Sequence, residues 1–220
     1  VCDALAYAHS RGVVHRDVKP ENVMLGPFGE VYLLDWGVAI RVAQRMPEGS
    51  IAGSPAFMAP EMLCPESGSI DERTDVYLVG ATLHDCITGA PPHRGATIGD
   101  VMLSVACSEP HAYGDDVPEE LGAILNKAMH VDPGRRFASA GELRAALVAF
   151  DEHRASAELT RAAEVRLEQL VRALDRQDGA EDAAIAALFH ECRFGLEQSL
   201  RAWPENARAR GALRRAIERM

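Results

Sequence analysis

Residues 15–22 read His15-Arg16-Asp17-Val18-Lys19-Pro20-Glu21-Asn22. Taken singly, these side chains are unremarkable: an Asp in a loop is usually a turn former, and a Lys is usually solvated. What restricts the chain is the set. Thirteen residues after Asn22 comes Asp35-Trp36-Gly37, and further on Ala59-Pro60-Glu61. A carboxylate, an ammonium and a carboxamide in one short segment, followed by a second carboxylate before a glycine, are the ingredients of a polar site held in loops.

The flanking pattern supplies the frame for those loops. Ala4, Leu5, Ala8 and His9 continue one apolar helical face that Gly12 ends. Val13-Val14, Val23-Met24-Leu25 and Val31-Tyr32-Leu33-Leu34 are short strand candidates, with Gly26-Pro27-Phe28-Gly29 turning the chain between the last two. Residues 36–60 are rich in Gly, Pro and Ser and are expected to be irregular. Asp71 to Thr88 is an apolar helix closed by Gly89-Ala90-Pro91-Pro92. Three more helices are expected over 98–108, 118–130 and 139–154, with Asp132-Pro133-Gly134 breaking the chain between the last two.

Bulk properties narrow the classes. Of 220 residues 47% are apolar, enough to bury a sizeable core in one to two domains. Residues 1–150 carry 11 Lys+Arg against 20 Asp+Glu, whereas residues 151–220 carry 12 against 13. An acidic first part argues against a nucleic-acid partner and favours basic peptides, although acidity also simply keeps a protein dissolved. The five scattered cysteines, Cys2, Cys64, Cys86, Cys107 and Cys192, include no CxxC and suit a reducing, cytoplasmic setting. No apolar run approaches the roughly 18 residues of a membrane span, and no signal peptide is expected. Val1 lies inside what reads as a helix, so the start is expected to be internal to a longer protein.

From these motifs the chain resembles the C-terminal lobe of a Hanks-type, bacterial-style serine/threonine protein kinase over residues 1 to about 150. The string at 15–22 is similar to the family's H-R-D-x-x-x-x-N catalytic loop, and Asp35-Trp36-Gly37 to its D-F-G with Trp for Phe. Gly53-Ser54-Pro55-Ala56-Phe57-Met58-Ala59-Pro60-Glu61 is similar to G-T-x-x-Y-x-A-P-E. The implied fold is mostly α, an α+β kinase fold with the C-lobe only: helices, short strands around the catalytic loop, and an all-α tail. The resemblance implies transfer of phosphate from ATP, with Mg²⁺ or Mn²⁺, to serine or threonine hydroxyls of a protein substrate. Asp17 would be the catalytic base and Lys19 the cation reaching the γ-phosphate. Asn22 and Asp35 would hold the metal, and Lys19, Glu21, Asn22, Met24 and Asp35 would contact the nucleotide, Met24 beneath the adenine.

The same resemblance assigns supporting roles. His15 and Trp36 would stack in a regulatory spine. Ser54 would bond Asp17 and Lys19. Asp75 would hold backbone amides of the catalytic loop, and Arg136 would pair with Glu61. Arg16 precedes the catalytic Asp, where such an Arg often pairs with a phosphorylated activation-loop residue; Ser50 is the acceptor that residues 38–52 offer. Glu21 sits where some family members read a substrate Arg, which suggests a basic preference in the substrate. The family's glycine-rich loop, ATP-anchoring Lys and adenine hinge are missing from the 220 residues. Val38-Ala39-Ile40-Arg41 imitates V-A-I-K but follows Asp35, and the two lysines are Lys19 and Lys127. The chain alone is therefore expected to be nearly inactive.

From residue 151 to 220 the composition turns to Ala, Arg, Glu and Leu. Ala163, Leu167, Leu170 and Leu174 form one seam, and Glu168 with Arg172 an i,i+4 pair on another face. Gln177-Asp178-Gly179 interrupts; Ile185, Leu188, Cys192 and Leu196 mark another helix, and Trp203-Pro204-Glu205-Asn206 turns into a last one. This is a helical extension, coiled-coil or faintly tetratricopeptide-like. It supports an alternative reading, a kinase-derived pseudokinase or scaffold that binds a protein partner through the tail. A small-molecule kinase fits less well, because it would lack the Lys-Pro-Glu-Asn wording and Ala-Pro-Glu.

Overall fold

The computed structural model describes residues 1–42, 52–63, 70–114, 116–175 and 182–220. They fall into two units, Val1–Leu147 and Val148–Met220.

In the first unit, helix α1 (Cys2–Ser10) buries Leu5 and Ala8. Gly12 then takes φ +69, a left-handed conformation that costs glycine little, and the chain enters β1 (Val13–Val14). After the loop at 15–19 and a 3-10 turn at Pro20–Asn22, β2 (Val23–Leu25) and β3 (Val31–Leu33) form an antiparallel hairpin. Its register sets Val23 opposite Leu33 and Leu25 opposite Val31. The turn closes through Gly29 N–H to the Gly26 carbonyl at 3.2 Å, with Gly29 at φ +88.

One expectation is corrected here. Residues 36–60 are not irregular throughout: β4 (Ile40–Arg41) pairs antiparallel with β1, Val13 opposite Arg41 and Val14 opposite Ile40. Two-residue strands carry too short a pattern to read. Their partner, far away in sequence, defines them. Short 3-10 turns at Pro55–Phe57 and Pro60–Met62 add further local order.

The centre of this unit is α2 (Glu72–Thr88). Asp71 caps it by accepting the Arg73 N–H, and Gly89 at φ +75 ends it. Every residue from Thr74 to Ala81 is buried, so this stretch of the helix is covered on all sides. Helix α3 (Ile98–Cys107) starts with a Thr97/Asp100 capping box. Helix α4 (Glu119–Ala128) packs close to α2 at Gly80, where a Cβ would come within 2.9 Å of Ala128 Cβ and Met129 Cγ.

The helix expected over 139–154 is longer. Helix α5 runs from Ala140 to Asp175 without interruption, because nothing from 142 to 175 is Gly or Pro. The division between the units lies within this helix, whereas the change in composition suggested a boundary at 150/151. In the second unit, α6 (Asp182–Ala202) and α7 (Ala207–Glu218) pack with the later part of α5. Ala163, Leu167 and Leu170 of the seam meet Cys192, Leu196, Ala209, Ala212 and Ala216 in one core, with Leu174, Ile185 and Leu188 packed against it. Trp203 to Asn206 make the turn before α7, and Asn206 caps it by accepting the Ala209 N–H at 3.0 Å. The interruption at Gln177-Asp178-Gly179 lies outside the described residues.

A polar cluster sits inside this second unit. Ser156, Thr160, Ser199 and Asn206 are all buried, and their side chains bond one another over 2.7–3.3 Å. Each hydroxyl finds a partner, the condition for burying it cheaply. Among the described residues, no helix is long and apolar enough to cross a membrane.

Candidate active site

The loop at 15–19 has little secondary structure of its own and is held by α2. Asp75, fully buried, accepts the His15 N–H at 2.8 Å and the Arg16 N–H at 2.9 Å. Such bonds fix the loop backbone, including Arg16 at φ +69. Sequence reading missed the third partner: His9 Nε2 lies 2.7 Å from Asp75 Oδ2. A histidine on the apolar face of α1 was the available signal, since a buried ring nitrogen needs a partner.

His15 is clamped between the loop and the D-W-G segment. Its Nδ1 accepts the Asp17 N–H at 3.2 Å and its Nε2 faces the Leu34 carbonyl at 3.0 Å. A carbonyl only accepts, so the proton belongs on Nε2. The His15 and Trp36 rings meet at 4.5 Å between centroids, edge-on rather than face to face, and Trp36 Nε1–H donates to the Leu33 carbonyl at 3.0 Å. The indole thus has an anchor that the Phe of D-F-G would lack.

Asp17 is 7% exposed. Asn22 Nδ2 donates to its backbone carbonyl at 2.8 Å and to its Oδ2 at 3.1 Å. Lys19 Nζ lies 3.3 Å from the same Oδ2 and donates to Ser54 Oγ at 2.6 Å. Asp17 Oδ1 is buried without a hydrogen-bond partner among the described residues. An unpaired buried carboxylate oxygen is costly, so its persistence marks a position kept for something else. Ser54 reaches Lys19 but is not bonded to Asp17 directly; the ammonium links them.

Asn22 also receives the Leu34 N–H on its backbone carbonyl at 2.8 Å, which brings the end of β3 next to the loop. Asp35 follows directly, at φ +57, exposed, with Oδ1 accepting the Gly37 N–H at 3.3 Å. Such a conformation is strained for a non-glycine residue. Met24, opposite Tyr32 on the hairpin, is half-exposed, and Leu25, Phe28, Val31, Tyr32 and Leu34 are exposed as well, Phe28 at 90%. Glu21 is exposed on the 3-10 turn. Among the described residues no three His, Cys, Asp or Glu side chains gather as a metal cluster.

The segment from Ser54 to Met62 is fixed from below. Arg136, in a 0% exposed pocket, forms a two-pronged pair with Glu61 at 2.7 and 2.8 Å. Thr74 Oγ1–H donates to the same carboxylate at 2.8 Å, and Arg136 also donates to the carbonyls of Arg73 and His130. Its guanidinium lies over the Tyr77 ring, 4.8 Å from the centroid. Gly53, at φ +114, comes so near the loop that a Cβ would sit 2.7 Å from the Arg16 carbonyl. The Arg16 guanidinium donates through Nε to the Val38 carbonyl at 2.7 Å, with Nη2 on the same oxygen, and burial pushes its pKa down. Ser50 lies outside the described residues.

A loop hung from a buried helix Asp, a D-x-G turn beside it and an Arg–Glu pair beneath the following segment define the helical lobe of a protein kinase. The protein kinase domain family matches residues 1–147, and the chain belongs to it. Among curated proteins it is 37% identical over 176 residues to the serine/threonine-protein kinase PknD of Chlamydia muridarum, covering 67% of this chain and 18% of that protein. PknD of Chlamydia trachomatis serovar D is 36% identical over 176 residues with the same coverage. PknD of Protochlamydia amoebophila is 32% identical over 167 residues, 65% of this chain and 17% of that protein. The chain therefore spans under a fifth of the length of these relatives, and its type is that of the bacterial serine/threonine kinases.

Proposed function

We propose that this chain supplies the catalytic and metal-binding half of a serine/threonine protein kinase, which transfers the γ-phosphate of ATP to a protein hydroxyl. The observation that carries this reading is Asp17: a buried carboxylate with one oxygen tied to Asn22 and Lys19 and the other left without a partner among the described residues. An incoming hydroxyl is the group that Oδ1 is kept for. Asp17 would accept its hydrogen bond, orient it and take its proton as the phosphate leaves ATP.

Lys19, bridging Asp17 and Ser54, holds a positive charge next to that hydroxyl, where charge on the transferring group is greatest. The Ser54 contact couples this cation to the segment that would carry the substrate, in line with serine or threonine acceptors. Asn22 spends its N–H groups on Asp17, which leaves its carbonyl oxygen for a metal, and Asp35 offers an exposed carboxylate. Oxygen donors of this kind suit Mg²⁺ or Mn²⁺, ions that neutralise phosphate charge when bound. Two protein ligands are enough for an ion that takes its remaining oxygens from phosphate and water. The strained Asp35 backbone supports the same reading.

The 220 residues alone transfer little phosphate, in this proposal, because no glycine-rich loop or anchoring Lys in them can cover ATP. The test is phosphate transfer from Mg-ATP to a serine/threonine acceptor, by the chain alone and by the chain joined to the ATP-binding half of a bacterial serine/threonine kinase. The expected result is transfer by the joined protein and none by the chain alone. Ordinary turnover by the chain alone, or none by a folded joined protein, contradicts the proposal. The second outcome would favour a scaffold working through the helical tail.

A further inference from the structure

A second polar cavity, of about 590 Å³, opens at the C-terminal end of α2. His84, Ile87 and Thr88 of α2, Arg94 after it, Ser104 of α3, and His111, Tyr113 and Asp116 of the following loop line it. His84 lies nine residues beyond Asp75 on α2, about 14 Å along the helix axis, so this cavity is separate from the catalytic loop.

Three of these groups keep polar nitrogens without a hydrogen-bond partner among the described residues. His84 is 5% exposed; its Nδ1 meets the Tyr113 hydroxyl at 2.9 Å, and its Nε2 has no partner. The His111 ring packs 4.3 Å from the His84 ring, and neither of its nitrogens is hydrogen-bonded. Arg94 spends Nε on the Pro91 carbonyl at 3.0 Å and, among the described residues, makes no ion pair. Asp116, the carboxylate on the described wall, pairs with none of the three. Burial holds both imidazoles in the neutral form, and His111 beside His84 and Arg94 beside both add to this.

Arg94 brings a fixed positive charge with no counter-ion among the described residues, and the two neutral imidazoles can each turn an N–H toward an anion beside it. Donors approaching from α2, from the segment after it and from the loop suit an oxyanion with several acceptor oxygens better than a flat carboxylate. The cavity is in the size range of ligand sites, and Ile87, Pro91, Pro92 and Val117 give it an apolar wall for whatever bears the anion.

We propose that this cavity binds a phosphomonoester, held by Arg94 and the free ring nitrogens of His84 and His111. Free phosphate and a phosphorylated side chain share this chemistry. The group is bound as a ligand and not processed, so the site is independent of the phosphoryl-transfer reading.

The test is an imidazole-detected NMR titration of the full 220-residue chain, with inorganic phosphate in one arm and a phosphoserine peptide in the other. Sodium chloride at matched ionic strength and the unphosphorylated peptide are the controls. The expected result is saturable shifts of the His84 and His111 resonances at millimolar phosphate, weakened at least tenfold in Arg94→Gln. Tighter binding of the phosphopeptide would assign the site to a phosphorylated protein segment, and binding of phosphate alone would assign it to the free anion. The absence of saturable shifts up to about 50 mM phosphate, shifts reproduced by chloride, or full binding by Arg94→Gln would overturn it.

Discussion

Asp75 receives the His15 N–H at 2.8 Å from sixty residues away, and the adjacent Arg16 N–H on its other oxygen. The loop at 15–19 is thereby a fixture of the core helix. Asp75→Ala leaves two buried amides and the His9 ring without an acceptor. Each such group costs about 1–3 kcal/mol, so a sharp drop in melting temperature is expected. Thermal denaturation checks this; a change within error would mean that the loop is held by something other than Asp75.

The Glu61–Arg136 pair gives a second prediction. Removing one partner strands the other charge in a dry pocket, which costs about 3–5 kcal/mol. Arg136→Met should therefore destabilise more than the double variant Arg136→Met, Glu61→Leu, in which no charge is left behind. Urea denaturation of both variants gives the comparison, and equal losses would show that the pair is not coupled.

At Gly53 and Gly80 the prediction is steric. Gly53→Ala meets both a positive φ and a 2.7 Å approach to the Arg16 carbonyl, and Gly80→Ala drives a methyl into Ala128 and Met129. A cost of about 1–3 kcal/mol is expected for each. The losses differ in kind: Gly53→Ala should disturb the amide signals of residues 15–17, whereas Gly80→Ala should disturb those of α4. Identical patterns in hydrogen exchange would contradict the assignment.

Stability should depend on two buried histidines. Burial, followed by the neighbouring His111, lowers the pKa of His84 and of His93 from 6.5 to about 4. His93 is bonded to Tyr77 and Ser104, His84 to Tyr113. Both are neutral in the folded protein, while the unfolded chain takes up protons below about pH 6.5. Their contribution is complete above pH 6.5 and is lost as the pH falls toward 4. The difference in melting temperature between wild type and His84→Gln should shrink over that interval; a constant difference would contradict it.

Asn206 in the second unit combines two roles, a donor to three hydroxyls and the cap of α7. Asn206→Asp keeps the capping oxygen but buries a carboxylate with no N–H to give. It should lower the unfolding temperature of this unit, whereas cap chemistry alone would predict no loss. Differential scanning calorimetry of the variant separates the two.

Much of the arrangement is legible in the sequence because it is carried by local strings at fixed spacing. Asp75 accepts the His15 and Arg16 amides and Arg136 pairs with Glu61, while Ser54 reaches Lys19 without bonding Asp17 and His15 meets Trp36 edge-on. The structure adds contacts made between distant residues without a local pattern. Strand β4 exists because Ile40 and Arg41 pair with β1; His9 and Thr74 matter because of the carboxylates they meet. The Ser156–Thr160–Ser199–Asn206 cluster joins three helices, and polar residues in a helical pattern read as a solvated face until those helices pack. Helix α5 crosses residue 150 because composition can change without a helix breaker.

The central claim rests on Asp17, and its most direct test is the rate of phosphate transfer by the joined protein carrying Asp17→Asn. Loss of a positioned base is worth roughly 10²–10⁴-fold. The expected result is a fall in kcat of that size with the KM for ATP nearly unchanged and the fold intact. A kcat within a few-fold of wild type would contradict the account.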